Sequence, residues 1–306
     1  MLCRKLQTLD PERSHVLHTL KSKRLIRKII IFCIHKVLNR SLPLMALLVL
    51  LFASAPAAAK DRLVVINSRD GVQQPYVLVE PASKIRAALI MLPGGGGVLN
   101  TRGTGSEVKF NEAGFLQRSR QQFADNGFVV AIADTPSDQK ELWRGFRMTE
   151  RHAQDIGAII NDLRKHHGDM PVYLIGISRG GLSVAYIGKY LQQKVSGIIA
   201  LSALYRDSRG ESLERFDWGQ LKQRVLIVGH RKDGCRNTLF QDSSTVAREN
   251  SFPLIAASGG YEDLAKSARA ECGPWAHHNF LGIEKSVSHE IIRWILGQPF
   301  QREVDG

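Results

Sequence analysis

The segment VYLIGISRGG, from Val172 to Gly181, decides the fold. Its first six residues form a mostly apolar run, which is typical of a strand buried on both faces. A predicted helix follows from Gly180, so the motif Gly-x-Ser-x-Gly spans a strand-to-helix junction. Such a sharp turn requires small flanking residues, here Gly176 and Gly180, and lifts the central side chain clear of the sheet. The segment therefore predicts that Ser178 is a nucleophile. A glycine-rich phosphate loop is the alternative, but its lysine motif is absent.

Similar apolar runs occur on both sides of this segment, and helical stretches separate most of them. This alternation predicts an α/β fold, with a mostly parallel eight-stranded sheet and helices on both faces. The first two strands are predicted to form a hairpin because an Asp-Gly turn separates them. The predicted strands are Arg62–Ile66, Pro75–Val79, Ala87–Leu92, Phe128–Ala133, Val172–Ile177, Val195–Leu201, Val225–Val228 and Phe252–Ala256. The predicted helices are Phe115–Asn126, Glu150–His167, Gly180–Gln193 and Leu281–Leu296.

Residues 1–59 differ in composition from residues 60–306, which we predict to form a single domain. Of the net charge of +13, +8 lies in residues 1–59, and residues 41–59 carry no charge. A basic flank, a Leu-rich run and a final Ala57-Ala58-Ala59 are typical of a secretory signal peptide. We therefore expect export, to the periplasm, with cleavage near Ala59. A membrane anchor formed by residues 41–59 is the alternative, since the run just reaches spanning length.

A serine hydroxyl needs a base and an orienting acid to act as a nucleophile at neutral pH. Asp233 lies in an Asp-Gly turn after the predicted strand Val225–Val228, although ordinary turns also favour aspartate. His277 and His278 precede the last predicted helix. The chain order of nucleophile, acid and base makes Ser178, Asp233 and one of these histidines the candidate catalytic residues.

On these residues, the chain resembles the α/β-hydrolase family, which includes serine esterases, lipases and dienelactone hydrolases, over residues 60–306. The histidine loop of that family often reads His-x-Phe, and this pattern favours His278 over His277 because Phe280 follows His278 by two positions. The resemblance implies that Ser178, Asp233 and His278 form a catalytic triad.

The resemblance also implies an oxyanion hole, which is a set of N–H donors for the negative charge that develops on a carbonyl oxygen. In this family one donor belongs to the residue after the nucleophile, here Arg179. The second belongs to the loop after the third strand, here Pro93 to Gly97. This loop is similar to the family's His-Gly-Gly-Gly loop, with Pro93 where that loop often has histidine. We expect Gly95, or alternatively Gly96, to supply the second donor; a merely flexible glycine loop is the other interpretation.

After removal of the leader the chain has two cysteines, Cys235 and Cys272. In an exported protein an isolated pair of cysteines predicts a disulfide, and two separate buried thiols are the alternative. Cys235 is close in sequence to Asp233, and Cys272 is close to His278. A bridge would therefore tie the acid loop to the histidine loop.

The remaining features predict neither a metal nor a cofactor. His277 and His278 are adjacent and lack the i, i+4 spacing of a helical zinc pair. The charge outside the leader is scattered, so we expect no nucleic-acid partner, and membrane contact only through the leader. The region from Trp143 to Arg151 and the segment Asp207–Leu221, with Phe216 and Trp218, are expected to form pocket walls without a large lid.

The sequence thus predicts an exported serine hydrolase that cleaves a carboxylic ester through an acyl-enzyme. The expected partner is a small-molecule ester or amide. A peptidase or amidase with the same triad is the first alternative, because the pocket and not the triad selects the leaving group. A non-catalytic binding protein of the same fold is the second, since a fold alone does not establish an activity.

Overall fold

The computed structural model describes residues 60–143, 145–207, 210–266 and 270–306. The predicted leader, residues 1–59, lies outside the described residues. Among the described residues, no helix is both long and apolar enough to cross a membrane.

The described strands form one sheet, in the order β1-β2-β4-β3-β5-β6-β7-β8-β9. The pairs β1–β2 and β2–β4 are antiparallel, and all other neighbours are parallel. The predicted α/β-hydrolase fold class is confirmed, but the expected count of eight strands is wrong, because β9 adds a ninth at the edge beside β8. The strands are β1 (Asp61–Arg69), β2 (Val72–Val79), β3 (Ala87–Leu92), β4 (Phe128–Ala133), β5 (Val172–Ile177), β6 (Gly197–Leu201), β7 (Arg224–His230), β8 (Leu254–Ala257) and β9 (Glu303–Val304).

Helices cover both faces of the sheet. They are α1 (Phe115–Asp125), α2 (Glu150–His167), α3 (Arg179–Tyr190), α4 (Phe240–Glu249) and α5 (Glu284–Ile295). The sequence did not predict α4. It did predict that α2 ends at Gly168, and the structure adds an N-cap at Thr149, whose side chain accepts the N–H of His152. Side chains of α2 and α3 share one apolar core cluster, and those of α1 and α5 share another.

The two clusters explain why the parallel strands are apolar throughout. Alternate residues of β3 enter different clusters: Ala88, Ile90 and Leu92 pack with α2 and α3, whereas Leu89 and Met91 pack with α1 and α5. Successive side chains of a strand point to opposite faces, so a strand covered on both sides needs apolar residues at every position. The carboxyl ends of β3, β5 and β7 therefore meet at one edge of the sheet, which is where open α/β sheets bind ligands.

Candidate active site

Ser178 occupies the sharp turn between β5 and α3. Its backbone angles are φ 56° and ψ −120°, an unusual conformation for a residue with a side chain that costs about 1–3 kcal/mol. A Cβ atom on Gly176 would meet the carbonyl oxygen of Gly180, and one on Gly180 would meet that of Leu92. The Ser178 N–H donates to the Leu201 carbonyl at 2.9 Å, which ties the turn to the neighbouring strand. Only glycine fits the two flanks of this turn.

His278 and Asp233 form a hydrogen-bonded pair. Nδ1 of His278 lies 2.9 Å from Oδ2 of Asp233, and their side chains are 1% and 0% exposed. Because the carboxylate occupies Nδ1, Nε2 is the ring nitrogen left to exchange a proton with a substrate or with Ser178. Neither the Ser178 hydroxyl nor Nε2 has a hydrogen-bond partner among the described residues. Catalytic serine–histidine contacts are often long in structures without substrate.

Further hydrogen bonds hold the Asp233 carboxylate in place. The backbone N–H of Cys235 donates to Oδ1 at 2.9 Å, and the Thr238 hydroxyl donates to Oδ2 at 3.0 Å. Thr238 Oγ1 also lies 3.1 Å from Nδ1 of His278. Sequence reasoning did not identify Thr238, because a threonine five residues beyond an Asp-Gly turn carries no distinguishing signal.

The histidine loop is fixed to α1. The side-chain oxygen of Asn279 accepts the N–H of Phe115 at 3.1 Å, and its amide nitrogen donates to the Gly273 carbonyl at 3.0 Å. The ring of His277 does not pair with Asp233. It stacks on the ring of His230, with centroids 4.5 Å apart. Burial lowers the pKa of His230, which favours its neutral form. The structure therefore places His278, and not His277, beside the acid.

A disulfide joins Cys235 to Cys272, the pair expected from the sequence. It links the loop of Asp233 to the segment that leads to His278. Cys272 also lines the cavity described below. The bridge thus connects the two loops whose side chains form the Asp233–His278 pair.

Ser178 and His278 line one cavity of about 370 Å³. Pro93 to Gly96 of the predicted oxyanion loop, Gln117 and Trp143 contribute to its walls. Of the pocket walls predicted from the sequence, Trp143 is in place. The other side chains that line this cavity are Val98, Asn111, Ala113, Glu141, Ile177, Pro274 and Asn279.

The expectation that Phe216 and Trp218 line this pocket is wrong. Both rings are buried in the apolar core, and each contacts a further aromatic ring. They border a separate surface cavity with Tyr205 and Asp242, which does not include Ser178. These two large aromatic side chains bury more apolar surface in the core than they would at the edge of the sheet that carries Ser178.

The predicted oxyanion loop forms a tight turn beside the nucleophile. The Gly97 N–H donates to the Gly94 carbonyl at 3.0 Å, and Gly95 has a φ of 56°. The N–H groups of Gly95 and Gly96 have no hydrogen-bond partner among the described residues. Both glycines line the cavity, so either N–H is available to a ligand.

Arg179 supplies the first N–H of α3. This N–H lacks an intrahelical acceptor because it belongs to the first turn. The Arg179 side chain turns away into ion pairs with Asp207 at 3.0 Å and Glu211 at 2.7 Å, and its guanidinium stacks 4.6 Å from the Trp143 ring. The helix N-terminus behind Ser178 adds a partial positive charge.

No cluster of three His, Cys, Asp or Glu side chains with metal-binding geometry occurs among the described residues. Arg147 is buried behind the oxyanion loop, whereas Arg151 is exposed beside the Phe146 ring. Arg144 lies outside the described residues.

Comparisons with known proteins show which fold this chain shares with them. Residues 110–233, which include Ser178 and Asp233, match the family model described as serine aminopeptidase, S33. No curated protein sequence matches the chain. The similar solved structures include Est1E from Butyrivibrio proteoclasticus, with 15% identity and a TM-score of 0.53 over 78% of this chain and 98% of that one.

Two further structures have the same fold. An α/β serine hydrolase homologue from Coxiella burnetii is 16% identical, with a TM-score of 0.53 over 79% of this chain and 100% of that one. An α/β serine hydrolase without a lid, from Xanthomonas campestris, is 11% identical, with a TM-score of 0.52 over 79% and 98% of the two chains. The sheet order, the turn at Ser178 and the matches to these structures together show that the chain has the α/β-hydrolase fold.

Proposed function

We propose that this protein is an exported serine hydrolase that cleaves small carboxylic esters. The observation that carries the proposal is the convergence of Ser178, at the turn after β5, with the buried His278–Asp233 pair on one cavity. A strained turn, a paired histidine and unpartnered N–H groups at the same place match the needs of acyl transfer.

The proposed reaction begins when the Ser178 oxygen attacks the ester carbonyl carbon. Nε2 of His278 takes the hydroxyl proton, and the carbonyl oxygen becomes an oxyanion. The N–H of Arg179 and that of Gly95 or Gly96 donate to this oxyanion. The intermediate then collapses: the carbonyl re-forms, and the bond to the alcohol oxygen breaks. His278 returns its proton to that oxygen, which leaves as the alcohol.

Water completes the cycle. His278 removes a proton from water, whose oxygen attacks the acyl-enzyme carbonyl, and the second tetrahedral intermediate expels Ser178, which regains a proton from His278. The products are a carboxylic acid and the original enzyme. Asp233 accepts a hydrogen bond from Nδ1 throughout, so it fixes the tautomer and stabilises the imidazolium in each half-reaction.

The cavity favours small substrates. Its volume of about 370 Å³ lies near the lower end of the range for ligand pockets. The wall combines backbone and polar groups with apolar side chains, among them Val98, Trp143 and Pro274. Such a wall suits a short acyl group better than a long alkyl chain. Est1E, a structural neighbour, has also been described with ferulic acid bound, so a small carboxylic acid as product is consistent with this fold.

Amide or peptide cleavage is the second candidate. It is favoured by the family model matched by residues 110–233, whose description is a serine aminopeptidase. Export is proposed from the basic leader and the uncharged run of residues 41–59. The Cys235–Cys272 disulfide supports it, because disulfides persist mainly in oxidising compartments.

A matched substrate panel tests the proposed function. Residues 60–306 are assayed with acetyl, butyryl and octanoyl p-nitrophenyl esters and with the corresponding p-nitroanilides, beside Ser178→Ala. Ester hydrolysis that falls with acyl length and disappears in Ser178→Ala is expected. Hydrolysis of anilides alone would support the peptidase reading, and no turnover of any substrate would support a binding protein.

A further inference from the structure

Arg147 lies directly behind the oxyanion loop. It belongs to the short turn between β4 and α2, and only 2% of the residue is exposed. Its guanidinium donates to the carbonyl oxygens of Pro93 and Gly95, each at 3.1 Å. It also donates to the Ser183 hydroxyl, at 2.7 Å, on the helix that follows the nucleophile. One side chain thus joins the oxyanion loop to α3.

The guanidinium has no counter-ion in contact. Among the described residues, no carboxylate lies within ion-pair distance of Arg147, and its Nε is buried without a partner. Burial, followed by the charge of Arg179, lowers the pKa of Arg147 to about 9, so the group stays charged at neutral pH. A buried, unpaired charge is costly. Its hydrogen bonds to carbonyl groups are correspondingly strong, because the donor is ionised.

These bonds also set the direction of the loop's N–H groups. In a trans peptide the carbonyl of one residue and the N–H of the next point in opposite directions, and the described residues contain no cis peptide. When Arg147 holds the carbonyls of Pro93 and Gly95, the N–H groups of Gly94 and Gly96 turn away from Arg147. Both of these glycines line the cavity that contains Ser178.

We propose that Arg147 is a positioning residue that anchors the oxyanion loop by its carbonyl groups and thereby presents the loop's N–H groups to the substrate carbonyl. The proposal rests on the proposed function, because it assigns a role within acyl transfer. Arg147 touches no reacting atom in this account. Its effect is confined to the geometry of donors that act when negative charge develops on the substrate.

The test compares Arg147→Met and Arg147→Lys with the control Arg151→Met. Arg151 is exposed on the next turn of chain, so its variant removes the same charge without touching the loop. Turnover is measured on p-nitrophenyl butyrate and divided by the fraction of protein that reacts with a fluorophosphonate. The second readout is the inhibition constant of a trifluoromethyl ketone, whose hemiketal adduct with the serine carries an oxyanion.

Arg147→Met is expected to lower kcat about 10–100-fold, the range for a misplaced oxyanion donor, with KM changed less than about threefold. Ketone affinity should fall by the same factor as kcat/KM. Arg147→Lys should recover part of both losses, and Arg151→Met should match wild type.

Normal kcat and ketone affinity in Arg147→Met, even with a lower Tm, would overturn the proposal. If Arg147→Met does not fold, Arg147→Lys decides by the same two readouts. A wild-type protein without esterase activity would instead refute the proposed function.

Gln117 carries a second, independent inference, about the substrate. It lies on α1, it lines the cavity of Ser178 and His278, and only 6% of it is exposed. Its carboxamide makes no hydrogen bond with any described residue. Its polar atoms are not among the fully buried ones, so they are accessible from the cavity. A ligand that covers this carboxamide must supply a hydrogen-bonding atom or leave the amide desolvated without a partner.

We infer that Gln117 binds a hydrogen-bonding group of the substrate, an amide or a hydroxyl close to the scissile ester. An alkyl ester of the same length would leave the Gln117 carboxamide unpaired, and sites built around such a group reject the analogue that lacks its partner. The inference rests on the proposed function, since it specifies the ester that the same site accepts.

Matched ester pairs test this inference on both sides of the scissile bond. On the acyl side, p-nitrophenyl N-acetylglycinate is compared with p-nitrophenyl pentanoate; on the alcohol side, 2-acetamidoethyl butyrate is compared with pentyl butyrate. The kcat/KM ratio of the polar to the alkyl ester is measured for wild type, Gln117→Leu and the control Gln121→Leu. Gln121 lies one turn further along α1 and bonds Asp125 instead of lining the cavity.

In at least one pair, Gln117→Leu is expected to lower the polar-to-alkyl ratio about tenfold or more, whereas Gln121→Leu should leave it unchanged. Unchanged ratios in both pairs would overturn the inference while esterase activity itself remained intact. Absence of hydrolysis of all four esters by wild type would refute the proposed function instead.

Discussion

Asp233 and His278 meet in a buried hydrogen bond, 2.9 Å from Oδ2 to Nδ1. The contact spans 45 residues of sequence and is supported by Thr238, whose hydroxyl lies within hydrogen-bond distance of both groups. This contact orients the His278 ring so that its Nε2 atom remains available to a substrate in the cavity.

Asp233→Asn should lower kcat about 1,000–10,000-fold, because an amide stabilises the wrong histidine tautomer and cannot balance the imidazolium. Steady-state kinetics on p-nitrophenyl butyrate measure this loss. Asp242→Asn is the matched control, since Asp242 lies on α4 and pairs with Arg206. Full activity of Asp233→Asn would identify Asp233 as an ordinary turn residue and move the acid elsewhere.

Loss of the Cys235–Cys272 disulfide should destabilise the fold and slow turnover. The bridge closes 37 residues of chain, and a loop of that length corresponds to about 3–4 kcal/mol of unfolding free energy. Urea unfolding and kcat are compared for wild type and Cys235→Ala/Cys272→Ala, each with and without dithiothreitol. The double variant should be insensitive to the reductant. Equal stability and turnover in all four samples would show that the bridge does not hold the loops of Asp233 and His278 together.

His152 should make the folded protein less stable as the pH falls. Burial, followed by the charges of Arg147 and Arg69, lowers its pKa from 6.5 to about 3. Below pH 6.5 the unfolded chain binds a proton that the folded chain excludes, so stability is complete above pH 6.5 and declines toward pH 3. Between pH 7.5 and pH 5 this single group contributes about 2 kcal/mol of loss.

Urea unfolding of wild type, His152→Gln and His289→Gln at both pH values measures that contribution. His152→Gln should lose less stability than wild type on acidification. The exposed His289 is the control, and its variant should follow wild type. A wild-type pH dependence in His152→Gln would mean that His152 is not held neutral in the folded state.

Glycine-to-alanine substitutions should have opposite effects on stability in the turn at Ser178 and in the helix α2. Gly180→Ala places a methyl group against the Leu92 carbonyl and should cost at least about 2 kcal/mol. Gly157→Ala, on α2, meets only side-chain atoms of Leu191 at 3.6 Å or more and should be neutral or stabilising by up to about 1 kcal/mol. Tm values of the two variants test this difference in sign. A soluble Gly180→Ala with wild-type Tm would contradict the tight packing of the turn.

Most of the fold could be predicted because buried parallel strands are apolar at every position. The run Ala87–Leu92 has the same bounds in the prediction and in the structure. The edge strand Glu303–Val304 was missed because two residues, one of them charged and exposed, form no periodic pattern. Helix Phe240–Glu249 was missed because only two of its residues, Ser243 and Ala247, are fully buried, so its apolar face is narrow.

The residues of the candidate site could be predicted where a local sequence motif identifies them. The motif Gly-x-Ser-x-Gly identifies Ser178 because the sharp turn constrains the size of residues that are close to it in sequence. Arg147 has no such motif, and its position in a basic, aromatic segment predicts an exposed charge. Only folding brings it into contact with carbonyl groups more than 50 residues away in sequence. Phe216 and Trp218 were assigned to the pocket because loop aromatics often line sites, but long-range packing buried them in the core.

The central claim is that Ser178 is a nucleophile activated by the His278–Asp233 pair. The most direct measurement is fluorophosphonate labelling of residues 60–306, with the modified residue identified by mass spectrometry of the intact protein and its peptides. Wild type should gain one adduct, located on Ser178, whereas Ser178→Ala should gain none and His278→Gln should react far more slowly. Absence of labelling in folded wild type, or an adduct on a residue other than Ser178, would contradict the account.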